Sequence, residues 1–234
     1  MSKPTRSLRD RLHPVVSLLK AGGSKQKAKH DAELSFWTSV QEEEGELRND
    51  HYESFFTDAL AVERSFYAGK RILDIGCGPR GSLEWAADAA QRVGLDPLVP
   101  SYRGLGIDRH AMEYVATGSE SIPFPDGHFD VVSSFNSLDH VDDLDATISE
   151  IKRILKSGGL MLLITEVNHA PTVTEPIGFS WGIIEQFRPE FDVVDEWRFE
   201  KLDAGVYQSV ERRIPYAAEA SDHAGVLVAK LRRR

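Results

Sequence analysis

Asp74, Gly76, Gly78 and Gly81 stand together in the run Arg71-Ile-Leu-Asp-Ile-Gly-Cys-Gly-Pro-Arg-Gly81, and Asp96 follows 22 positions after Asp74. Closely spaced glycines let a backbone approach a ligand, and a second acid at this distance suits a carboxylate that reaches the hydroxyls of a ribose. As an alternative, an acid before a proline, as in Asp96-Pro97, is an ordinary turn opener. The glycines spell G-x-G-x-x-G, a spacing also used for the pyrophosphate of a dinucleotide. Their neighbours argue against phosphate. A pyrophosphate needs free N–H groups and positive potential, whereas Asp74 brings negative charge and Pro79 has no N–H. A ligand with an ammonium and a sulfonium would gain from the same carboxylate, by roughly 4 kcal/mol at ~4 Å and an effective dielectric of ~20. S-adenosylmethionine is such a ligand.

Ile72, Leu73 and Ile75 form a short buried strand, and a helix is expected over Ser82 to Ala90, with the glycine turn at its N-terminus. Arg92 to Leu95 reads as a second strand, Met112 to Ala116 as a third and Phe129 to Phe135 as a fourth, which opens into Asn136-Ser-Leu-Asp-His140. Leu144, Ile148, Ile151 and Ile154 are at helical spacing and stop at Lys156-Ser-Gly-Gly159. Leu160 to Ile164 is wholly apolar, hence a central strand, and delivers Thr165-Glu-Val-Asn-His169 to the same edge. A helix over Trp181–Phe187, strands over Phe191–Phe199 and Gly225–Ala229, and a basic tail Arg232–Arg234 complete the pattern. It predicts an α/β doubly wound, mostly parallel seven-stranded Rossmann-like sheet with an N-terminal helical extension and a ligand at the carboxyl ends of the strands. Three regions are expected: a basic flexible arm over 1–30, a helical lid or extension over 31–68, and the Rossmann-like domain over 69–234.

Composition narrows the function classes. The chain has 234 residues and a formal charge of −9, so general attraction to nucleic acid is not expected. Residues 1–30 differ, with eight basic side chains against Asp10 alone. This end reads as a solvated arm or, through Leu8, Leu12, Val15, Val16, Leu18 and Leu19, as a surface for anionic lipid or a partner, with Pro14 interrupting any helix. Glu42 to Glu46 reads as a solvated helix end. Cys77 is the one cysteine, which excludes an internal disulfide and favours a cytoplasmic home, and no apolar run has membrane-spanning length.

With these pieces in order, the sequence resembles the class I S-adenosylmethionine-dependent methyltransferases, in particular their small-molecule branch. The likeness covers about residues 70–168 and rests on Leu73-Asp-Ile-Gly-Cys-Gly78, Asp96, Ile122-Pro-Phe-Pro-Asp-Gly-His-Phe-Asp-Val-Val132, Leu138-Asp-His-Val141 and Ile154-Leu-Lys-Ser-Gly-Gly159. The resemblance implies S-adenosyl-L-methionine as cofactor. Gly76 and Gly78, with Asp74, Ile75, Cys77 and Arg80, would serve its methionine part. Asp96 would hold the ribose, Pro97 and Leu98 would flank adenine, Ser119 and Glu120 would border its edge, and Asn136 completes the set. The family often has aspartate where this chain has Gly118, so Glu120 and backbone near Ser119 are expected to replace it.

Methyl transfer from a sulfonium is an in-line displacement that demands alignment above all. For a hydroxyl acceptor a base is also needed, and histidine is suited to it. His140 is the first candidate and His169 the second, although His140 in this loop is equally able to cap a helix or shape the pocket. Asp139, Glu166 and His169 are legitimate ligand types for a divalent ion, as in a metal-assisted sugar O-methyltransferase, but strand-end carboxylates are common without metal and no metal ligand is assigned. Cys77 reads as a buried filler rather than a nucleophile, and Arg80 as a partner of the cofactor's carboxylate or a cap of the turn. The expected reaction is O-methylation of a small molecule or glycan, with a homodimer left open. The rival readings are a non-catalytic cofactor-binding regulatory subunit and a nicotinamide-linked dehydrogenase.

Overall fold

Strand β1 (Arg71–Ile75) lies inside a seven-stranded sheet of order β3-β2-β1-β4-β5-β7-β6, in a computed structural model that describes the backbone of residues 8–217 and 223–234 and their side chains from residue 25 onward. Strands β2 (Gln91–Leu95), β3 (Glu113–Val115), β4 (Phe129–Phe135) and β5 (Leu155–Val167) run parallel to β1, while β7 (Gly225–Arg233) is antiparallel to both β5 and β6 (Phe191–Glu200). Alternation along each strand builds two cores. Leu73, Val132, Met161, Leu163 and Leu227 face one side, and Ile72, Val131, Leu162, Ile164 and Val226 the other.

Helix α4 (Leu144–Ile154) covers the first side, burying Ile148, Ile151 and Ile154, and the Asp143 side chain caps it by accepting from the Ala146 N–H at 3.0 Å. The second side is covered by α2 (Tyr52–Phe56) and the turns after it, where Phe55, Phe56, Leu60 and Tyr67 are buried. Helix α3 (Val99–Tyr102) follows β2, and α5 (Val206–Arg212) lies between β6 and β7.

Helix α1 (Leu8–Glu44) runs without a break through Pro14, expected to interrupt it, and across the boundary expected between residues 30 and 31, so the expected arm and lid share one element. Lys3 and Arg6 of the basic arm lie outside the described residues, as do the side chains of Leu8 to Leu19. From its described part, Lys29 Nζ and Gln26 Nε2 donate to Asp142 at 2.8 and 2.7 Å, Gln41 Nε2 donates to the Leu105 carbonyl at 3.0 Å, and Trp37 packs beside Leu98 and Tyr102. The end of α1 is not merely solvated, because Glu44 pairs with Arg80.

Four expectations need correction. Ser82 to Ala90 is a chain of turns, not a helix. The carbonyls a helix would use internally go elsewhere: those of Leu83 and Glu84 accept from Arg92, that of Trp85 from Arg64, and that of Asp88 from the Gly69 N–H. Tertiary bonds thus override a helical composition, and no helix starts at the glycine loop. Secondly, Lys156–Gly159 does not separate helix from strand. β5 begins at Leu155, and its pairing with β4 shifts between Phe129 and Val131, with Gly158 at φ +78° taking up the irregularity. Thirdly, Trp181–Phe187 is a 3₁₀ helix. Fourthly, Arg232 and Arg233 belong to β7, where Arg233 donates to the Leu155 carbonyl. Among the described residues no helix is long and apolar enough to cross a membrane.

Candidate functional site

The carboxyl ends of β1, β2 and β4 open into a cavity of about 760 Å³, roofed by α1 and by Tyr207 of α5. It lies where strand order reverses between β1 and β4, the place at which sheets of this type leave a crevice. Its volume is in the range of small-molecule sites.

The glycine loop forms the floor. Gly76 has φ +66°, and a Cβ there would overlap the side chain of Ser137, whose Oγ donates to the Ile75 carbonyl at 2.6 Å. Gly78 has φ +59°, and a Cβ would meet the Trp37 ring at 3.0 Å. Both positions need glycine for conformation and for closeness at once. Asp96 is buried beside them. Its Oδ2 accepts from the Gly78 N–H at 3.2 Å and its Oδ1 from the Leu98 N–H at 2.8 Å. Burial and the charge of Glu33 outweigh these bonds and push the carboxyl up to about 7.

Asp74 is placed differently from expectation. Its carboxylate is fully enclosed, accepts from Ser82 Oγ at 2.5 Å and from Ser133 Oγ at 2.7 Å, and does not line the cavity. Burial raises it to about 6 against those two hydroxyls. Through these bonds Asp74 ties the loop after Gly81 to β4.

The remaining expected residues all reach the cavity wall, namely Ile75, Cys77, Arg80, Pro97, Leu98, Ser119, Glu120 and Asn136. Their side chains are engaged to different degrees. Arg80 commits its guanidinium to Glu44, at 2.8 and 2.7 Å, and to the Arg48 carbonyl at 2.8 Å, and its hydrogen bonds, more than its charge, hold Glu44 down at about 2. The Cys77 thiol is buried against Gly94, where it takes up space a side chain would need, and burial followed by the charges of Asp96 and Asp74 raises it, as suits a filler. Ser119 Oγ pairs with Thr147 Oγ1 at 2.8 Å. Glu120 accepts from the Asp142 N–H at 2.8 Å, and its other carboxylate oxygen occupies the space a side chain at Gly118 would need. Asn136, at φ +51°, keeps Oδ1 buried without a partner among the described residues.

His140 faces the cavity from the 3₁₀ turn after β4, and His169 stands behind it. His140 Nδ1 is 3.6 Å from Glu33, and its Nε2 is 3.9 Å from both Asp139 and Glu175. Burial opposes a charge on this ring, but Glu33, Asp139 and Glu175 outweigh it and raise its pKa. His169 Nε2 is 3.6 Å from Asp139. Glu166 does not join them. It shares the opposite face of β5 with Leu162 and Ile164 and pairs with Lys201 at 2.5 Å.

Several site residues carry no role that the sequence alone assigns. Trp37 and Glu33 lie four apart on α1, a spacing that places them on one helix face. Tyr207 belongs to a helix whose buried Val206, Ser209 and Val210 show the i, i+3, i+4 pattern, a signal short enough to pass unnoticed. Glu175 sits in an irregular loop and carries no sequence signal.

The sheet order and the cavity at its carboxyl edge are those of the fold that solved S-adenosylmethionine-dependent methyltransferases share. Residues 73–163 match the family described as "Methyltransferase domain". The chain is 35% identical over 124 residues to a ubiquinone/menaquinone biosynthesis C-methyltransferase of Pseudomonas putida, which spans 47% of this chain and 45% of that protein. It is 34% identical over 109 residues to a ubiquinone biosynthesis O-methyltransferase of Bartonella bacilliformis, covering 42% of each. The chain thus matches a little under half the length of these relatives. Among solved structures, geranyl diphosphate C-methyltransferase from Streptomyces coelicolor, in complex with Mg²⁺, geranyl diphosphate and S-adenosyl-L-homocysteine, shares the fold with a TM-score of 0.55, 18% identity and coverage of 77% of both chains.

The family's cofactor fits the residues present. The buried Asp96 carboxylate offers hydroxyl-accepting capacity at the floor, the glycine loop leaves room where a Cβ would intrude, and the orphaned Asn136 Oδ1 is an acceptor of the kind an ammonium needs.

Proposed function

We propose that this chain transfers the methyl group of S-adenosylmethionine to a hydroxyl of a small-molecule or glycan acceptor. The observation that carries the reading is Asp96, a buried carboxylate on the cavity floor one strand beyond the glycine loop, held by the Gly78 and Leu98 N–H groups. The turns at 82–90 add to it, since a pyrophosphate would find no helix N-terminus at this loop.

In this reading the cofactor supplies an already activated methyl group, and the chain's residues align and enclose the reactants. Asp96 takes the ribose hydroxyls, Leu98, Ser119 and Glu120 border adenine, and Asn136 with the backbone at Gly76 and Gly78 serves the methionine end. Phe36, Tyr52 and Tyr207 line the approach and offer ring faces to an acceptor. The proton released by the hydroxyl goes to the cluster around His140, where Glu33, Asp139 and Glu175 stabilise the positive charge. His169 acts behind Asp139 as a positioning residue. A screen with radiolabelled methyl donor against sugars, phenols and carboxylic acids tests the reading. Label on an acceptor oxygen supports it, whereas transfer confined to carbon would overturn the oxygen assignment.

A further inference from the structure

Behind His140 lies a set of polar atoms that none of the described residues satisfies. Asp139 is fully buried, yet neither of its carboxylate oxygens has a hydrogen-bond partner, and the buried Nε2 atoms of His140 and His169 also lack one. A carboxylate enclosed without a donor is costly in its ionised form, and that form needs a positive charge between these atoms.

The spacings say what kind. His140 Nε2 is 3.9 Å from Asp139 Oδ1 and 3.9 Å from Glu175 Oε1, and one donor atom from each of the three residues lies within 4.8 Å of the others. These separations exceed the ~2.7–3.2 Å of a hydrogen bond, so a shared proton does not bridge them. Two ligands each about 2.1 Å from a common ion stand about 3.4 Å apart at a tetrahedral angle and about 4.2 Å apart when opposite, a range that includes the 3.9 Å of His140 from each carboxylate.

The supports are built to match. His169 Nδ1 is 3.1 Å from the Ala170 carbonyl, a contact that holds the ring with Nε2 toward Asp139 Oδ2, at 3.6 Å. The Glu175 N–H donates to Thr172 Oγ1 at 3.0 Å, and the Ile177 N–H donates to the Asp139 carbonyl at 3.3 Å, tying the loop after β5 to the turn after β4.

We propose that Asp139, His140 and Glu175 bind a divalent first-row transition-metal cation at the inner wall of the cavity, with His169 set against the second oxygen of Asp139. A mixed set of imidazole and carboxylate donors selects Mn²⁺, Fe²⁺, Co²⁺ or Zn²⁺ over the oxygen-preferring Mg²⁺ and Ca²⁺. His140 and Glu175 line the cavity while Asp139 lies behind them, so open coordination positions face the acceptor. Binding of the ion stands alone. Its use rests on the methyltransferase reading: an acceptor hydroxyl held by the cation releases its proton to solvent, and its oxygen takes the methyl group as the carbon–sulfur electron pair returns to sulfur. In the ion-loaded chain the cation ionises the acceptor and His140 holds the cation; His140 takes the proton only in the ion-free chain.

The experiment is a titration of the full chain with Mn²⁺, read by the loss of the free-ion electron paramagnetic resonance signal, with Mg²⁺ as competitor. The same preparations are titrated calorimetrically with S-adenosylhomocysteine. One Mn²⁺ per chain, resistant to Mg²⁺, is expected, with Glu175→Gln weakening it by roughly tenfold or more and leaving S-adenosylhomocysteine affinity unchanged. Asp139→Asn should act in the same direction, and Glu175→Gln, on an irregular loop, decides if the buried variant fails to fold. A wild-type chain that binds S-adenosylhomocysteine but no Mn²⁺, or a Glu175→Gln variant that binds Mn²⁺ as the wild type does, overturns the proposal and leaves the methyltransferase reading standing. Mn²⁺ binding lost in Glu175→Gln, in a chain that ignores S-adenosylhomocysteine, supports the ion site and removes that reading instead.

Discussion

The guanidinium of Arg80 grips the carboxylate of Glu44 through both terminal nitrogens, at 2.8 and 2.7 Å, and so fastens the end of α1 to the loop that leaves β1. Through this pair the roof of the cavity is anchored to its floor. Because Glu44 is held down at about 2, the pair contributes fully above the ordinary glutamate range and is lost only as pH falls through about 2. Both side chains are partly exposed, so Glu44→Gln should cost no more than about 1 kcal/mol of stability. S-adenosylhomocysteine affinity should fall several-fold by calorimetry, since Trp37 loses its fixed seat over Gly78. Unchanged affinity would mean that α1 does not help close the site.

Asp96 predicts a pH dependence with a definite sign. Its carboxyl is raised to about 7 and that of Asp74 to about 6, both above the ~3.9 of an unfolded chain. The folded protein thus binds more protons between pH ~4 and ~7, and the stability these groups contribute is full below pH ~4 and lost as pH rises through their folded values. Thermal melts of the cofactor-free chain should show that decline. Binding runs the other way, because ribose hydroxyls donate to the ionised form. Affinity for S-adenosylhomocysteine should rise from about pH 6 to about pH 8, and Asp96→Asn should flatten the rise and weaken binding by roughly tenfold.

Asp74→Ala should act mainly on the fold. It strips the Ser82 and Ser133 hydroxyls of a buried acceptor, at a cost of about 1–3 kcal/mol in denaturant unfolding, with Asp74→Asn milder because it keeps an oxygen in place. A loss of cofactor affinity without any loss of stability would return Asp74 to direct ligand contact.

His140→Ala should lower turnover strongly while S-adenosylhomocysteine affinity stays within about twofold, as its ring serves the acceptor side of the cavity. An equally active variant would remove it from the chemistry.

Much of the fold is legible in the chain itself. The strands show because a parallel sheet buried on both faces writes continuous apolar runs such as Leu160–Ile164, and Asp96 shows through its spacing to the glycines. What stays hidden depends on direction rather than identity. Asp74 and Glu166 stand at strand ends beside the ligand's expected place, yet Asp74 is taken by Ser82 and Ser133 and Glu166 by Lys201. Ser82 to Ala90 has a helical composition but gives its carbonyls to Arg64, Arg92 and Gly69. Glu175 meets His140 only because an irregular loop folds back on the turn after β4, which no periodicity encodes.

Everything proposed for the acceptor depends on the cavity at the ends of β1, β2 and β4 taking S-adenosylmethionine. Calorimetric titration of the full chain with S-adenosylhomocysteine, alongside NAD and with Asp96→Asn as control, decides the matter. One S-adenosylhomocysteine site per chain, weakened in the variant, and no heat with NAD are expected. Tight NAD binding with no response to S-adenosylhomocysteine would contradict the assignment.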